Sequence, residues 1–475
     1  RYGEERDAGQ KTARSGGISA DLGMLPTDTN IGSNANTNMD TIYAPATAPG
    51  RAGIAVIRVS GAQAGAALMA VTGRAALPPP RQATLSNFVD PECGEALDRG
   101  LVLWFPGPNS FSGEDVAELH GHGGGAVVAA LLAVLSRLPG CRLAEAGEFT
   151  RRAFQHGRMD LTQAEGLADL IAAETEAQRR QAQRQMDGAL GRLYEGWRAD
   201  LIGALAHLEA EIDFPDEDLP GGMWARQKPL LEALEKEISA HLDDGHRGER
   251  LREGCHMVIL GAPNVGKSSL LNALARREAA IVSSQAGTTR DIVEVHLNLG
   301  GYPVVLADTA GLRQSGDAIE VEGVRRAQER GAQADLKIVL YDCAETPVPG
   351  AEVLALLGDG GILVANKTDR AAAAPTQGLP ISIKTGAGLN DLLRRLGAEA
   401  GQRMGDGGSS GLTRARHRQG LEGCRDALLR SLDGVDEELV AEDVRLAARY
   451  LGRITGRVDV EDILDVVFGD FCIGK

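Results

Sequence analysis

The run GAPNVGKS at residues 261–268 follows the apolar stretch HMVIL and leads into SLLNALA. A strand that ends in G-x-x-x-x-G-K-S and passes into a helix leaves few folds open, because the loop must aim successive backbone N–H groups at one point. Around it, residues 254 to about 400 alternate apolar runs (HMVILG, YPVVLADT, LKIVLYD, GILVANK) with helical stretches, the pattern of a parallel α/β sheet. In such a loop the glycines let the backbone approach a β-phosphate, Lys267 counters the β/γ charge, and the Ser268 hydroxyl suits Mg²⁺. Asn264, Val265, Gly266 and Ser269 complete the expected nucleotide-contacting segment.

Companion motifs arrive in the order a nucleotide site needs. In SSQAGTT, Thr288 and Thr289 offer hydroxyls to a metal, and Ser283, Ser284, Gln285, Ala286 and Gly287 are expected to line the nucleotide with them. DTAG ends a strand, which puts Asp308 near the metal shell and the Gly311 N–H at the γ-phosphate, with Thr309 and Ala310 between. In NKTD (Asn366, Lys367, Thr368, Asp369), the Asp369 carboxylate can accept two hydrogen bonds from guanine N1–H and the exocyclic amine, a pattern adenine does not offer. Ser382, Ile383 and Lys384 would close the base pocket, so GTP rather than ATP is expected. After DTAG stands Leu312, where regulatory GTPases often carry a water-orienting glutamine; a leucine cannot do that work.

At 475 residues the chain suggests about three domains, and 43% hydrophobic with 24% charged residues supplies ordinary buried cores. Six scattered cysteines with no C-x-x-C pair speak against a zinc site or a disulfide framework and for a reducing, cytoplasmic compartment. No run of about twenty apolar residues appears, so no membrane association is expected. A net charge of −16 disfavours a charge-driven grip on nucleic acid by the whole surface. The basic runs RRQAQRQ (179–185) and TRARHRQ (413–419) offer local RNA contacts or, more ordinarily, solvated helix faces.

Residues 1–38 are rich in Gly, Ser, Asn and Thr without period and are expected to be a disordered extension. Short β-rich runs broken by Pro and Gly, with one helix at 126–138, make 40–158 a small α+β domain. Residues 159–252 turn helical, with two or more long helices, and helical periodicity returns after the linker GDGGSSG. The expected fold is therefore multidomain: an α+β N-terminal domain, a discontinuous α-helical domain (159–252 with 412–475), and an inserted α/β P-loop GTPase domain (254–400).

Together with DTIYAPATAPGRAGIAVIRVSG (40–61), NSFSGEDVAELHGHGG (109–124), GEFTRRAFQHGRMDLTQAEGLADLI (147–171), DFPDED (213–218) and the terminal FCIGK, these motifs resemble the MnmE (TrmE) family of tRNA-modification GTPases, from about Asp40 to Lys475. The resemblance implies a folate-binding, dimerising N-terminal domain and G domains that pair face to face around K⁺. The matching K⁺ positions are Asn264, Ser283, Gln285 and Thr288, and those for Mg²⁺ are Ser268 and Thr289. Asn264 could instead be a loop-stabilising side chain. Glu320 stands at the family's catalytic, water-orienting glutamate, with Glu322 the competing candidate. Arg58, Glu118, Arg158 and Lys475 match the positions that hold a reduced folate, 5-formyl- or 5,10-methylene-tetrahydrofolate; Arg158 departs from a lysine often found there. Cys472 is either packed as a small hydrophobe or placed near the one-carbon donor.

The implied activity is GTP hydrolysis that drives addition of an aminomethyl-type group at C5 of the tRNA wobble uridine. The implied assembly is a homodimer joined to the FAD-dependent MnmG as a heterotetramer. Two other readings stay open: a ribosome-assembly GTPase of the Era or Der type, which shares PNVGKS and DTAG, and a GTP-binding scaffold without chemistry of its own.

Overall fold

The computed structural model describes residues 40–213, 223–277, 294–308, 334–358, 360–405, 411–469 and 471–474, so the extension expected at 1–38 lies outside the described residues. Strands β1 (Thr41–Pro45), β2 (Ala52–Ser60), β3 (Thr84–Val89), β4 (Ala96–Phe105), β5 (Val116–Gly123) and β6 (Cys141–Leu143) form one sheet in the order β3-β4-β5-β2-β1-β6. Only the β1–β6 pair is parallel. Helices α1 (Ala64–Thr72) and α2 (Gly125–Arg137) bury Leu68, Val71, Leu131 and Leu135 against Phe88, Trp104 and Leu119. Because side chains alternate across a strand, Ile57 and Val59 enter that core while Arg58, between them, faces the other side, paired in register with Glu118. There α3 (Glu148–Gln155) lies, its Phe149 buried with Ile42 and Ala44.

The helical stretch from residue 159 divides into α4 (Leu161–Ala172), α5 (Glu176–Met186), α6 (Ala189–Asp213), α7 (Met223–Leu242) and α8 (Arg247–Glu253). Local chemistry makes the breaks that periodicity runs through: Thr175 and Gln178 form a reciprocal cap on α5, and Gly188, at φ 82°, turns the chain before α6.

An α/β unit follows: β7 (Cys255–Gly261), α9 (Lys267–Arg277), β8 (Glu294–Leu299), β9 (Tyr302–Asp308), β10 (Leu336–Asp342), α10 (Ala351–Leu357), β11 (Ile362–Asn366), β12 (Leu379–Pro380) and α11 (Leu389–Met404). Its sheet runs β12-β11-β10-β7-β9-β8, parallel except for the edge strand β8. Strand β7 sits between β10 and β9, so its carboxyl end opens where a doubly wound sheet takes its ligand.

Helices α12 (Ala415–Asp433), α13 (Glu437–Thr455) and α14 (Glu461–Gly469) complete the chain. Leu190, Tyr194, Trp197, Leu201, Ala204 and Leu208 recur every three or four residues along α6, one apolar stripe. It shares a core with Leu231 and Ile238 of α7, Leu421 and Leu428 of α12, and Val444 and Leu451 of α13. Gly423 permits the close approach of α12 to α13: a Cβ there would stand 2.7 Å from the Tyr450 ring.

Paired charges mark the two points where the chain leaves and rejoins these helices. Asp169 Oδ1 accepts from Arg252 Nε at 3.2 Å and from Arg414 Nη2 at 2.9 Å. Glu165, buried on the same helix, accepts from Arg416 Nε at 2.6 Å and from His417 Nε2 at 2.8 Å. Arg418 pairs with Asp244 at 2.8 Å and Glu249 at 3.2 Å. The basic run 413–419 is therefore neither a solvated face nor a free RNA contact; its cations are taken up by internal carboxylates.

Burial would raise the Glu165 carboxyl, but hydrogen bonds from His417 and Arg416 and the Arg416 charge hold it far below its ordinary range. Burial depresses His417, whose Nδ1 has no partner among the described residues, so a second ring proton would be unpaired. An unfolded chain takes up a histidine proton near pH ~6.5 that folded His417 refuses, so stability falls as pH drops through that value. The urea midpoint should fall between about pH 7.5 and about pH 5.5, and fall less in His417→Gln, whose amide keeps a donor for Glu165.

Candidate functional site

Strand β7 ends at Gly261, φ 145°, where a Cβ would lie 2.3 Å from the Leu340 carbonyl oxygen, so the strand can bend into the loop only as glycine. Gly266, φ 106°, is closed in the same way: a Cβ would meet Asn366 Nδ2 at 2.7 Å. Helix α9 starts at Lys267, whose Nζ donates to the Gly261 and Ala262 carbonyls at 2.9 Å each, folded back over the loop it would serve. The first turn of α9, which carries Ser268 and Ser269, follows directly on that loop, where helix N–H groups lack partners in the helix.

Asn264 occupies left-handed backbone, φ 60°, which asparagine tolerates better than most side chains. Its side chain is exposed and makes no hydrogen bond to any described residue. It does not hold the loop together by hydrogen bonding, and its amide is available to a ligand. Val265 is buried, and its carbonyl accepts from Asn366 Nδ2 at 2.7 Å.

The second wall is the NKTD turn at the end of β11. Asn366 Oδ1 accepts from Ile383 N at 3.4 Å, so one amide side chain ties the phosphate loop to the turn after β12. Thr368 Oγ1 donates to the Ile381 carbonyl at 2.9 Å, and Ser382 Oγ donates to Asp369 Oδ1 at 2.7 Å. That hydroxyl keeps the Asp369 carboxyl below its usual range, an exposed anion fixed in orientation. Lys367, at φ 66°, pairs with Asp342 at 2.6 Å, while Lys384 is exposed beside Ile383. Asp342 and Cys343, whose Sγ–H donates to the Asn366 carbonyl at 2.9 Å, belong to the site and were not singled out from sequence. The available signal was Asp342 closing the apolar strand LKIVLYD, in register with Asn366.

Ser283, Ser284, Gln285, Ala286, Gly287, Thr288, Thr289, Thr309, Ala310, Gly311, Glu320 and its competitor Glu322 lie outside the described residues, as does Lys475; Asp308 is described as the last residue of β9.

On the face of the N-terminal sheet where α3 lies, a second constellation forms. Arg58 Nε and Nη2 donate to Glu118 Oε1 at 3.1 and 3.0 Å, and His120 Nε2 meets Glu118 Oε2 at 3.2 Å. The Arg58 guanidinium lies 5.1 Å from the Phe111 ring centre and 5.8 Å from that of Phe149. His120 was missed, although its strand alternation with Glu118 in ELHGHGG puts both on one face. Arg158 is exposed beside the Gly113 turn and makes no hydrogen bond to Arg58 or Glu118.

The end of the chain docks on this domain. Phe471 is buried with Phe154, Leu161 and Phe468, Ile473 bridges to Ala146, and the Cys472 carbonyl accepts from Gly147 N at 3.5 Å. Cys472 itself is exposed, which corrects the reading of it as a packed hydrophobe: its neighbours Phe471 and Gly474 are turned inward and its thiol outward. Gly474, φ 100°, lies so close to the Pro45 carbonyl that a Cβ would be 1.9 Å from the oxygen. Gly474→Ala should undock the tail, adding at least about 1–3 kcal/mol of backbone strain to the clash. The expected result is faster trimming by carboxypeptidase, with an unchanged far-ultraviolet circular dichroism spectrum.

Two family models match the chain: the GTP-binding protein TrmE N-terminus over residues 41–158 and the MnmE helical domain over residues 161–472. The tRNA modification GTPase MnmE of Parvibaculum lavamentivorans is 59% identical over 441 residues, covering 92% of this chain and all of the relative. That of Rhodospirillum rubrum is 56% identical over 457 residues, with 92% and 100% covered. The human mitochondrial 5-taurinomethyluridine-[tRNA] synthase subunit GTPB3 is 49% identical over 458 residues, with 92% and 93% covered. With its N-terminal sheet, its helices and its phosphate loop accounted for along one continuous match, the chain belongs to the MnmE (TrmE) family of tRNA-modification GTPases.

Proposed function

We propose that this chain hydrolyses GTP and that hydrolysis serves modification of tRNA. The observation that carries the reading is Asp369, an anion oriented by Ser382 beside a loop that Asn366 ties to it, the arrangement that selects guanine. Residues 254–400 act as an inserted G domain, 159–252 with 412–475 as one helical domain, and 40–158 as the dimerising, folate-binding domain. The Era-type and scaffold readings give way to this one because relatives named as tRNA modification GTPases match 92% of the chain.

Within the G domain, Lys267 and the first N–H groups of α9 hold the phosphates and stabilise charge as it moves to the leaving group. Ser268 and Thr289 would hold Mg²⁺, which would add positive charge beside the phosphates. Asn264, with its unspent amide, suits a K⁺ site shared with Ser283, Gln285 and Thr288, where a bound cation would supply the charge that an arginine finger gives elsewhere. Glu320 orients the attacking water, the work that Leu312 cannot do.

At the N-terminal site, Glu118 keeps lone pairs beyond those used by Arg58 and His120 and can accept from the N–H groups of a pterin, over which Phe111 and Phe149 exclude water. Arg158 and Lys475 would face the glutamate tail of a reduced folate, the one-carbon donor. The FAD-dependent partner MnmG, in a heterotetramer, completes the transfer to C5 of the wobble uridine, and the compartment is the cytoplasm.

Wild-type protein should turn over GTP in preference to ATP and lose most of its rate when Na⁺ replaces K⁺. Asp369→Asn should lower kcat/KM for GTP by about 100-fold or more. Equal use of ATP, or of Na⁺, overturns the reading. Calorimetric titration of 5-formyl-tetrahydrofolate should give tight binding to the full chain and weak binding to a chain ending at Phe471. Equal affinity removes the tail from the folate site.

A further inference from the structure

The α/β unit leaves the helices just after Arg252 and rejoins them just before Arg414, and both guanidiniums close on one carboxylate, Asp169 of α4. One turn back along α4, Glu165 takes Arg416 and His417, and its Oε1 also lies 3.2 Å from Arg414 Nε. The neighbouring helix adds backbone ties on the departing side: Gln178 Nε2 donates to the Arg252 carbonyl at 3.0 Å and Gln181 Nε2 to that of Gly248 at 3.0 Å.

The other end of α4 faces different company. Leu161 and Ala164 pack with Phe154, Phe468 and Phe471, the cluster that seats the last residues of the chain against the N-terminal domain. Asp160, which caps α4, follows Arg158 by two residues. From Leu161 to Asp169 is about 12 Å of α-helix, a little over two turns, too short and too well bonded to bend appreciably. A displacement of either crossing is thus passed along α4 as a rigid shift.

Room for such a displacement exists. A cavity of about 160 Å³ opens beside the clamp, lined by Asp169, Ala172, Gln178, Gln181, Arg252 and Glu253. Arg252, its side chain 29% exposed at the edge of that cavity, can exchange Asp169 for water or for Glu253, which already lies 3.0 Å from its Nη1. Arg414 and Arg416 are more enclosed and keep their hold on α4. The two crossings are therefore unequal: the one that rejoins is fixed to α4, and the one that departs is held by a bond with a ready substitute.

We infer that Asp169 and Glu165 are positioning residues that carry the nucleotide state of the G domain to the docked tail and the site around Arg58 and Glu118, with the Asp169–Arg252 bond as the element that changes. This rests on the GTPase reading above. Neither residue touches nucleotide or folate in that reading, so substitution leaves hydrolysis alone and removes its consequence at the far end of α4.

The test uses the full chain with K⁺ and Mg²⁺, loaded with GDP or with GDP and aluminium fluoride. Two quantities are read in each state: the Kd for 5-formyl-tetrahydrofolate and the alkylation rate of Cys472, followed by peptide mass. The wild type should show at least a threefold difference between the states in one of them. Asp169→Asn and Arg252→Gln should keep GTP turnover within about twofold of wild type while that difference shrinks to none, and Asp169→Glu should retain it. Arg252→Gln, at the more exposed partner, decides the matter if Asp169→Asn does not fold. Variants that keep the full wild-type difference would reduce the clamp to a structural role and overturn the inference. A wild type that turns over GTP with no difference between states overturns it also, leaving the GTPase reading intact. A wild type without turnover overturns that reading and this inference with it.

Discussion

A chain that leaves a set of helices, builds an α/β sheet and returns to the same helices does so through two crossings, and the shared core persists only if those crossings stay together. Here one carboxylate does much of that work: Asp169 accepts from Arg252 on the way out and from Arg414 on the way back. The choice of arginine matters, because a guanidinium can satisfy a carboxylate and still reach backbone or a second acid, as Arg416 does with Glu165 and the Ile454 carbonyl. Removing one partner would strand a buried charge, so the arrangement is costly to break in the folded state even though paired burial adds little net stability. The helices on either side share one core through their apolar stripes, and the crossings fix where the chain enters and leaves it.

The nucleotide site follows the same economy of parts. Its phosphate loop and the turn after β12 come from segments about 100 residues apart, and the Asn366 amide bonds to both. Glycine is required at 261 and 266 by the oxygen and nitrogen that stand where a Cβ would be, independently of any ligand. The loop is preformed in shape by packing within the sheet, so binding spends little on ordering it.

What the sequence makes legible is what local backbone geometry dictates. GAPNVGKS, NKTD and the strand ends around them are readable because a tight loop after a strand admits few residue types, and the structure puts Val265, Asn366, Asp369 and Ser382 together. Arg58 and Glu118 came from family resemblance, yet their pairing has a plain cause in strand alternation and register. Other features depend on partners far along the chain and leave no local mark. The cations of 413–419 read as a surface because Glu165 and Asp169 are some 250 residues away. Cys472 looked apolar in context, but its exposure is set by how Phe471 and Gly474 dock. The helix breaks at Thr175 and Gly188 are written in capping and φ rather than in hydrophobic period.

The core shared by α6, α7, α12 and α13 has a consequence for how the protein is made. Roughly 170 residues separate the end of α7 at Leu242 from the start of α12 at Ala415. At about 5–20 residues per second, a ribosome needs on the order of ten to thirty seconds to supply the second pair of helices. During that time the stripe from Leu190 to Leu208 has only α7 of the three helices it shares a core with, while the α/β unit can already close on itself. The early helices thus stand open to aggregation for that whole interval, and Phe154 and Leu161, which wait for Phe468 and Phe471, stand open for longer still.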